Sequence, residues 1–353
     1  MKLVWDKRPT DTNARNSEGA FIRQPDGAVL FAYSCYNGDD HRDNASCDIA
    51  VIRSFDEGES WSEPEIIVRA DAFGVQNIMS VSTIVQKDGA VGVYFLIKEN
   101  LGNNTIGRAI SKDGYTFTAE RCVMDAPLSG YVINNDRFIR LQNGQIATAA
   151  AMHAFYSDSS GRIDPFATSV AFLSDDDGKT FTIANPRLTV SKTTPDKRGM
   201  IEPGLIQHAD GTVRLWARTR ECWQYEAFSR DNLNTFTAPC ASVFTSPDAP
   251  MQMKAHDSIT YAVYNPIPQY NARAESRAGW GRTPLVVRKS TDDGKTWGVP
   301  IVIEDDPQRG FCYPAVFFTK DNAMLCGYCR GGANEETTCL QRLGIMKIGL
   351  DEI

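Results

Sequence analysis

The residues of this chain that could do chemistry are scattered, and no two of them form a local motif. The set comprises the carboxylates Glu18, Asp43, Asp136 and Glu202, the arginines Arg218 and Arg282, the phenol of Tyr313 and the imidazole of His153. The side chains of Ser17, Gln76, Asn77, Asn134, Asn135 and Gln252 belong with them. Most are polar positions in otherwise apolar surroundings. Carboxylic acids can pass protons to and from a leaving oxygen, guanidinium groups can clamp a carboxylate, and amides and imidazole can hold hydroxyls. Converging, they would make a sugar site. Only a fold that gathers residues from the whole chain could make them converge.

An internal repeat supplies such a fold. Ser54-Phe-Asp-Glu-Gly-Glu-Ser-Trp61, Ser174-Asp-Asp-Asp-Gly-Lys-Thr-Phe181 and Ser290-Thr-Asp-Asp-Gly-Lys-Thr-Trp297 are copies of one box. Ser111-Lys-Asp-Gly-Tyr-Thr-Phe117 is a copy one residue shorter, and Ser229-Arg-Asp-Asn-Leu-Asn-Thr-Phe236 is degenerate, with Leu233 in place of glycine. Ser and Asp side chains bond back to turn amides, glycine supplies positive φ, and the aromatic plugs an apolar gap. The box is therefore a structural device. A second hairpin signal falls earlier in each period, at Asp26-Gly27, Asp88-Gly89, Asn143-Gly144, Asp210-Gly211 and Asp321-Asn322. Each period reads as four strands, one blade of a radial array. Inner strands are expected at Glu18–Arg23, Met79–Gln86, Asn135–Leu141, Glu202–His208, Met251–His256 and Tyr313–Thr319. The expectation is an all-β, six-bladed propeller in one domain over residues 1–353, with Lys2–Asp6 closing the last blade. The channel mouth in such a fold is lined by inner-strand starts, second-strand ends and the loops after them. These are the places where the polar residues above stand.

With its box copies spread over most of the chain, the sequence resembles the sialidase superfamily. The resemblance implies a glycoside hydrolase and assigns roles residue by residue. Asp43, on the loop before the first box, matches the acid/base aspartate. Glu202, opening the fourth inner strand, matches the glutamate that activates the nucleophile, and Tyr313 in Cys312-Tyr313-Pro314 matches the nucleophilic tyrosine. Arg218 in Trp216-Ala-Arg218 and Arg282 before the last box match two arginines of the clamp for the substrate's carboxylate. The position of the first clamp arginine holds Ser17, followed by the acidic Glu18, with Arg15 two residues away. This departure weakens the match at the carboxylate site and leaves the sugar open: a terminal sialic acid, or another acidic sugar handled by a glycosidase or lyase that uses Glu18, His153 and Glu202 in place of the full arginine triad. Glu18 could pair with Arg15 or bind hydroxyls. Asn135 and Asp136 could cap backbone or bind hydroxyls, and His153 stands at the expected rim. Trp223, Gln224 and Tyr225, following Arg218, form either a sugar-binding loop or inter-blade packing. A non-catalytic carbohydrate-binding propeller is the alternative to an enzyme.

Composition narrows the partners. A net charge of −7 with pI ≈ 5.3 argues against a nucleic-acid binder. The expected partner is an oligosaccharide or glycoconjugate. No apolar run reaches the length of a membrane span, and Met-Lys-Leu-Val-Trp-Asp-Lys-Arg-Pro lacks a leader's apolar stretch, so a cytoplasmic location is expected. Of the nine cysteines, Cys326 and Cys329 make a near-neighbour pair, but a zinc site would need two more ligands nearby, so all read as reduced thiols, with no metal or other cofactor.

Overall fold

The structure is a computed structural model describing residues 1–100, 102–155, 163–190, 198–268 and 279–353. Six antiparallel blades are arranged in chain order. Blade one is Arg15–Arg23, Val29–Tyr36, Cys47–Ser54 and Glu65–Val68, paired in that order. Blades two, four and five repeat this plan, with inner strands Ile78–Val85, Ile201–Gln207 and Gln252–His256. In blade six the strands Cys312–Phe318, Ala323–Cys329 and Leu343–Gly349 are completed by Lys2–Lys7, which pairs with Leu343–Gly349. The described residues contain no α-helix, only short 3-10 turns.

Blade three departs from the expected inner strand at Asn135–Leu141. Only Gly130–Val132 and Ile139–Arg140 pair with the second strand Ile146–Phe155, and residues 135–136 form a turn between them. Asn135 and Asp136 cannot both hold extended backbone while their side chains bond to blades one, five and six, as described below. The strand breaks in consequence.

Apolar side chains from adjoining blades interleave and form the core. One cluster joins blades one and two (Ile22, Leu30, Val51, Ile78, Val93), and another joins blades five and six (Val263, Val287, Val316, Ile348). The central strands are buried on both faces, so they read as apolar runs rather than alternating ones, as Val29–Tyr36 shows.

At the end of each blade away from the inner-strand start, the boxes make the expected bonds. The Ser oxygen accepts the N–H four residues on, at 2.7 Å in Ser54–Gly58 and 2.8 Å in both Ser174–Gly178 and Ser290–Gly294. In the degenerate copy Ser229 accepts the Leu233 N–H at 3.0 Å, with Leu233 itself at φ 68°. The turn geometry thus survives loss of the glycine. The residue before the glycine does a second job. Glu57, Asp177 and Asp293 accept the N–H of Lys320, Lys87 and Ala209, each from the hairpin of the preceding blade. The boxes therefore tie blade to blade.

At the opposite end, four inner strands carry the same β-bulge. One extra residue is inserted between Ser17 and Ala20, between Met79 and Ser82, between Ile201 and Gly204, and between Cys312 and Ala315. The bulged residues Glu18, Ser80, Glu202 and Tyr313 take φ of 55°, 60°, 52° and 55°. Asp136 in the blade-three turn joins them at 56°. Left-handed backbone costs a non-glycine residue on the order of 1–2 kcal/mol. A bulge re-aims a side chain, and here it does so at the same height in several blades.

Candidate active site

Tyr313, Glu202, Arg218 and Arg282 form one connected group. The Tyr313 hydroxyl donates to Glu202 Oε1 at 2.9 Å, and Arg218 Nη1 donates to Glu202 Oε2 at 2.5 Å. The Arg282 guanidinium carbon lies 5.6 Å from the centre of the Tyr313 ring. Two of these residues, Glu202 and Tyr313, are on bulges, and Arg218 ends the second strand of blade four. Burial first, then the charge of Glu202, pushes the Tyr313 phenol well above its ordinary value, against the pull of Arg282 and Arg218. The phenol is thus neutral at rest and already hydrogen-bonded to a carboxylate that can take its proton.

A second group sits across the mouth. Arg15, two residues before Ser17 on the same strand face, is buried and hydrogen-bonds three side chains through its guanidinium. Nε donates to Ser17 Oγ at 2.9 Å, Nη2 to Glu18 Oε2 at 3.0 Å and Nη1 to Asp43 Oδ1 at 2.6 Å. Glu18 also accepts from Ser80 Oγ at 3.3 Å. Burial raises the Glu18 pKa, with Arg15 opposing and Asp43 adding to the rise. The Asp43 side chain is 68% exposed while its partner Arg15 is 2% exposed, so the carboxylate is the part that can reach an incoming ligand. Burial of its surroundings would raise the Asp43 pKa, but Arg15, then Lys98 and Arg282, outweigh it and the net direction is down.

Two residues of the site were not anticipated from sequence. Asp248, in the Ser246-Pro-Asp-Ala-Pro connection, accepts from Arg218 Nε at 2.5 Å and Arg220 Nε at 2.9 Å, with Arg198 Nη1 at 3.8 Å. Its carbonyl accepts from Arg282 Nε and Nη2 at 3.3 and 3.2 Å, so one residue braces both Arg218 and Arg282. Burial opposes ionisation of Asp248, but Arg218, Arg220 and Arg198 hold its carboxyl well below the ordinary value. Lys98, at the end of the second strand of blade two, donates to the Asp43 carbonyl and to Asn44 Oδ1. The rule that second-strand ends line the mouth would have found Lys98. No comparable signal marks Asp248 beyond its place just before an inner strand.

The remaining anticipated residues stand around this network in supporting places. Asn135 donates its amide to the Gly19 carbonyl at 2.8 Å and the Tyr313 carbonyl at 3.1 Å, tying blade three to blades one and six. The Asp136 carboxylate accepts from Gln252, Lys254 and the Val316 N–H, bracing blades three, five and six down the channel. The Gln224 side chain is fully buried in the strand Trp223–Ser229, which replaces the loop anticipated there, and donates to Ser246 Oγ and the Ala249 carbonyl. It holds the turn that presents Asp248 and touches no open space. His153 Nδ1 lies 2.8 Å from the Asp164 carbonyl, an acceptor only, so Nδ1 carries the proton. Burial lowers the His153 pKa and keeps the ring neutral, with Nε2 left as an acceptor.

Comparison with known proteins follows this geometry. A family profile described as BNR repeat-like domain matches residues 32–326. No curated protein matches. Among solved structures, a Dyadobacter fermentans protein of unknown function is similar over 98% of this chain and 99% of its own, with TM-score 0.73 and 16% identity. The Streptococcus pneumoniae NanB sialidase is similar over 100% of this chain and 71% of its own, with TM-score 0.71 and 12% identity. The Ruminococcus gnavus intramolecular trans-sialidase is similar over 99% and 97%, with TM-score 0.69 and 10% identity. At such identities the likeness is one of fold.

Proposed function

We propose that this chain, which belongs to the BNR repeat-like domain family, is an exo-acting, retaining glycoside hydrolase of the sialidase type, removing a terminal acidic sugar. The observation that carries the reading is the contact from the Tyr313 hydroxyl to Glu202, with Arg218 on the other carboxylate oxygen. A carboxylate nucleophile would be repelled by a sugar carboxylate, whereas a phenol carries no charge until it reacts. In the proposed reaction Asp43 gives a proton to the leaving glycosidic oxygen. Tyr313 oxygen bonds to the anomeric carbon as its own proton passes to Glu202. Water, deprotonated by Asp43, then displaces the tyrosine, which recovers its proton from Glu202. Arg218 and Arg282 hold the substrate's carboxylate beside Tyr313.

The pairing of Arg15 with Glu18 and Asp43 bears on the sugar. It leaves Arg15 matched by two carboxylates, as Arg218 is by Glu202 and Asp248, so a substrate carboxylate has to compete for either guanidinium. A substrate group that draws Arg15 away from Asp43 would remove the main influence lowering the Asp43 pKa and let it act as the acid.

The test is a proton NMR time course on an α-sialoside and on other terminal acidic glycosides. The reading predicts that the first product keeps the anomeric configuration of the substrate. An inverted product would contradict the tyrosyl intermediate, and an unsaturated, ultraviolet-absorbing product would indicate a lyase. Binding without turnover of any acidic glycoside would indicate a carbohydrate-binding propeller.

A further inference from the structure

Asp43, which must move protons in the proposed reaction, stands on a poorly covered segment of the mouth. Residues 37–46 link the second and third strands of blade one, and most of them, Asp43 included, are exposed. A carboxyl on a loop without anchors is spread over many positions. A misplacement of about 1 Å can cost on the order of 10²-fold in rate.

The anchors come from blade two and from the two residues that open it. Three consecutive carbonyls of the loop, those of Asp43, Asn44 and Ala45, accept from its side chains. Asn77 Nδ2 donates to the Asp43 carbonyl at 3.2 Å and to the Ala45 carbonyl at 2.6 Å. Gln76 Nε2 donates to the Asn44 carbonyl at 2.8 Å. Lys98 Nζ donates to the Asp43 carbonyl and, at 3.2 Å, to Asn44 Oδ1. Asn77 is buried, and its own carbonyl accepts the Lys98 N–H at 3.1 Å, so the two anchors are joined through the main chain. Among the described residues, one bond from outside the loop reaches residues 39–42, from Arg15 Nη1 to the His41 carbonyl at 3.4 Å. The anchoring is therefore concentrated on Asp43 and the two residues after it. The Asp43 side chain is treated in the opposite way: it is largely exposed, and among the described residues its one hydrogen-bond partner is Arg15.

We propose that Asn77 and Lys98 are positioning residues for Asp43, fixing the backbone from which its carboxyl turns between Arg15 and the leaving oxygen. A carboxyl pivoting on a fixed main chain keeps its place through both proton transfers, the gift to the leaving oxygen and the later removal of a proton from water. The catalytic use of the anchor rests on the sialidase-type reading, in which Asp43 is the acid and base. The anchor itself does not.

Hydrogen exchange followed by NMR tests the anchor without any substrate. The Ala45 N–H, bonded to the Arg42 carbonyl at 2.9 Å, is freed only when the loop opens. In the native protein it should exchange at least about tenfold more slowly than the Asp39 N–H, and Asn77→Ala should remove most of that difference. Equal exchange of the two amides in the native protein would overturn the proposal whether or not the variants fold. The catalytic half is read from the leaving group. An alkyl glycoside needs the proton of Asp43 to depart, whereas a para-nitrophenyl glycoside leaves with little help. In Asn77→Ala and Lys98→Met, kcat/KM should fall by about 10–100-fold on the alkyl glycoside and by a few-fold on the aryl one. Asn77→Ala changes no charge, so the same pattern in both variants assigns the effect to the backbone bonds and not to the charge of Lys98. An equal fall on the two glycosides would make Asn77 and Lys98 merely structural and would overturn the proposal. Failure of the native chain to hydrolyse either glycoside, with the Ala45 N–H protected as expected, would refute the catalytic reading and leave the anchor standing.

Discussion

The two ends of the propeller are built on opposite principles. At the box end, the residues repeat: Ser, Asp and an aromatic recur in all five copies, and the same bonds recur with them. At the channel mouth the backbone repeats and the residues do not. Bulges at φ 52–60° present Glu18, Ser80, Glu202 and Tyr313, three kinds of side chain on one conformation. Repetition of side chains marks a part whose job is the same in every blade, namely closing a turn and bracing the next blade. Repetition of a strained backbone under divergent side chains marks a part whose job is to aim different groups at one place. The aspartate of each box is spent on turn amides, as Asp176 is on the N–H groups of Lys179 and Thr180. A carboxylate at the mouth is matched to arginine or to Tyr313, where a ligand can compete for it.

The contrast can be broken by substitution, and the largest effect belongs to the mouth. Tyr313→Phe and Glu202→Gln should each lower kcat on the true substrate by about 10³-fold or more, the scale of losing a nucleophile or its base. Both should retain the native melting temperature to within a few degrees. A large loss of stability without a specific loss of kcat would move these residues to the structural side.

Next in size is Arg218→Met, which leaves Glu202 and part of the charge of Asp248 buried and unanswered. A loss of about 3–5 kcal/mol in urea unfolding is expected. The same substitution at Arg53, whose partner Glu65 is 54% exposed, should cost clearly less. Equal costs would mean that the mouth is no more dependent on its ion pairs than the blade surface.

A smaller effect is expected from Ser174→Ala, which strands the buried Gly178 N–H in one box. The loss should be about 1–2 kcal/mol, with kcat and KM unchanged. A change in kcat would breach the division between the ends.

The smallest and most conditional effect is on pH. Asp248 and Asp43 have folded-state pKa values below the ordinary one. Their contribution to stability is therefore present above about pH 4 and is lost as pH falls through the lowered values. The stability gap between the native chain and Asp248→Asn should be level from pH 7 to about 5 and close progressively below about pH 4. A gap that widens on acidification would reverse the sign of the assignment.

The box end was legible in the sequence because its bonds are local: Ser and Asp reach amides within four residues, so spacing alone encodes the turn. The six-bladed, all-β fold followed from counting those turns. At the mouth, residue types at inner-strand starts and second-strand ends pointed to Glu18, Asp43, Glu202, Arg218, Arg282 and Tyr313, which the structure places in two facing groups. The bulges were not legible, because an extra residue in one strand is defined only against its partner strand. Nor was the engagement of Asp136 by Lys254 and Gln252, contacts spanning 118 and 116 residues. Asp248 was missed for the same reason: its partners Arg218 and Arg282 lie 30 and 34 residues away on either side. Gln224 looked like a ligand-binding amide because its position after Arg218 is near the mouth in sequence, but strand alternation turns it inward to the turn beneath Asp248.

The most direct test of the division between the ends is hydrolysis of an aryl α-sialoside by the native chain, Tyr313→Phe and Ser174→Ala, measured side by side. The account predicts turnover by the native chain and by Ser174→Ala at equal kcat, with Tyr313→Phe slower by about 10³-fold or more. Turnover by Tyr313→Phe within a few-fold of the native rate would contradict it.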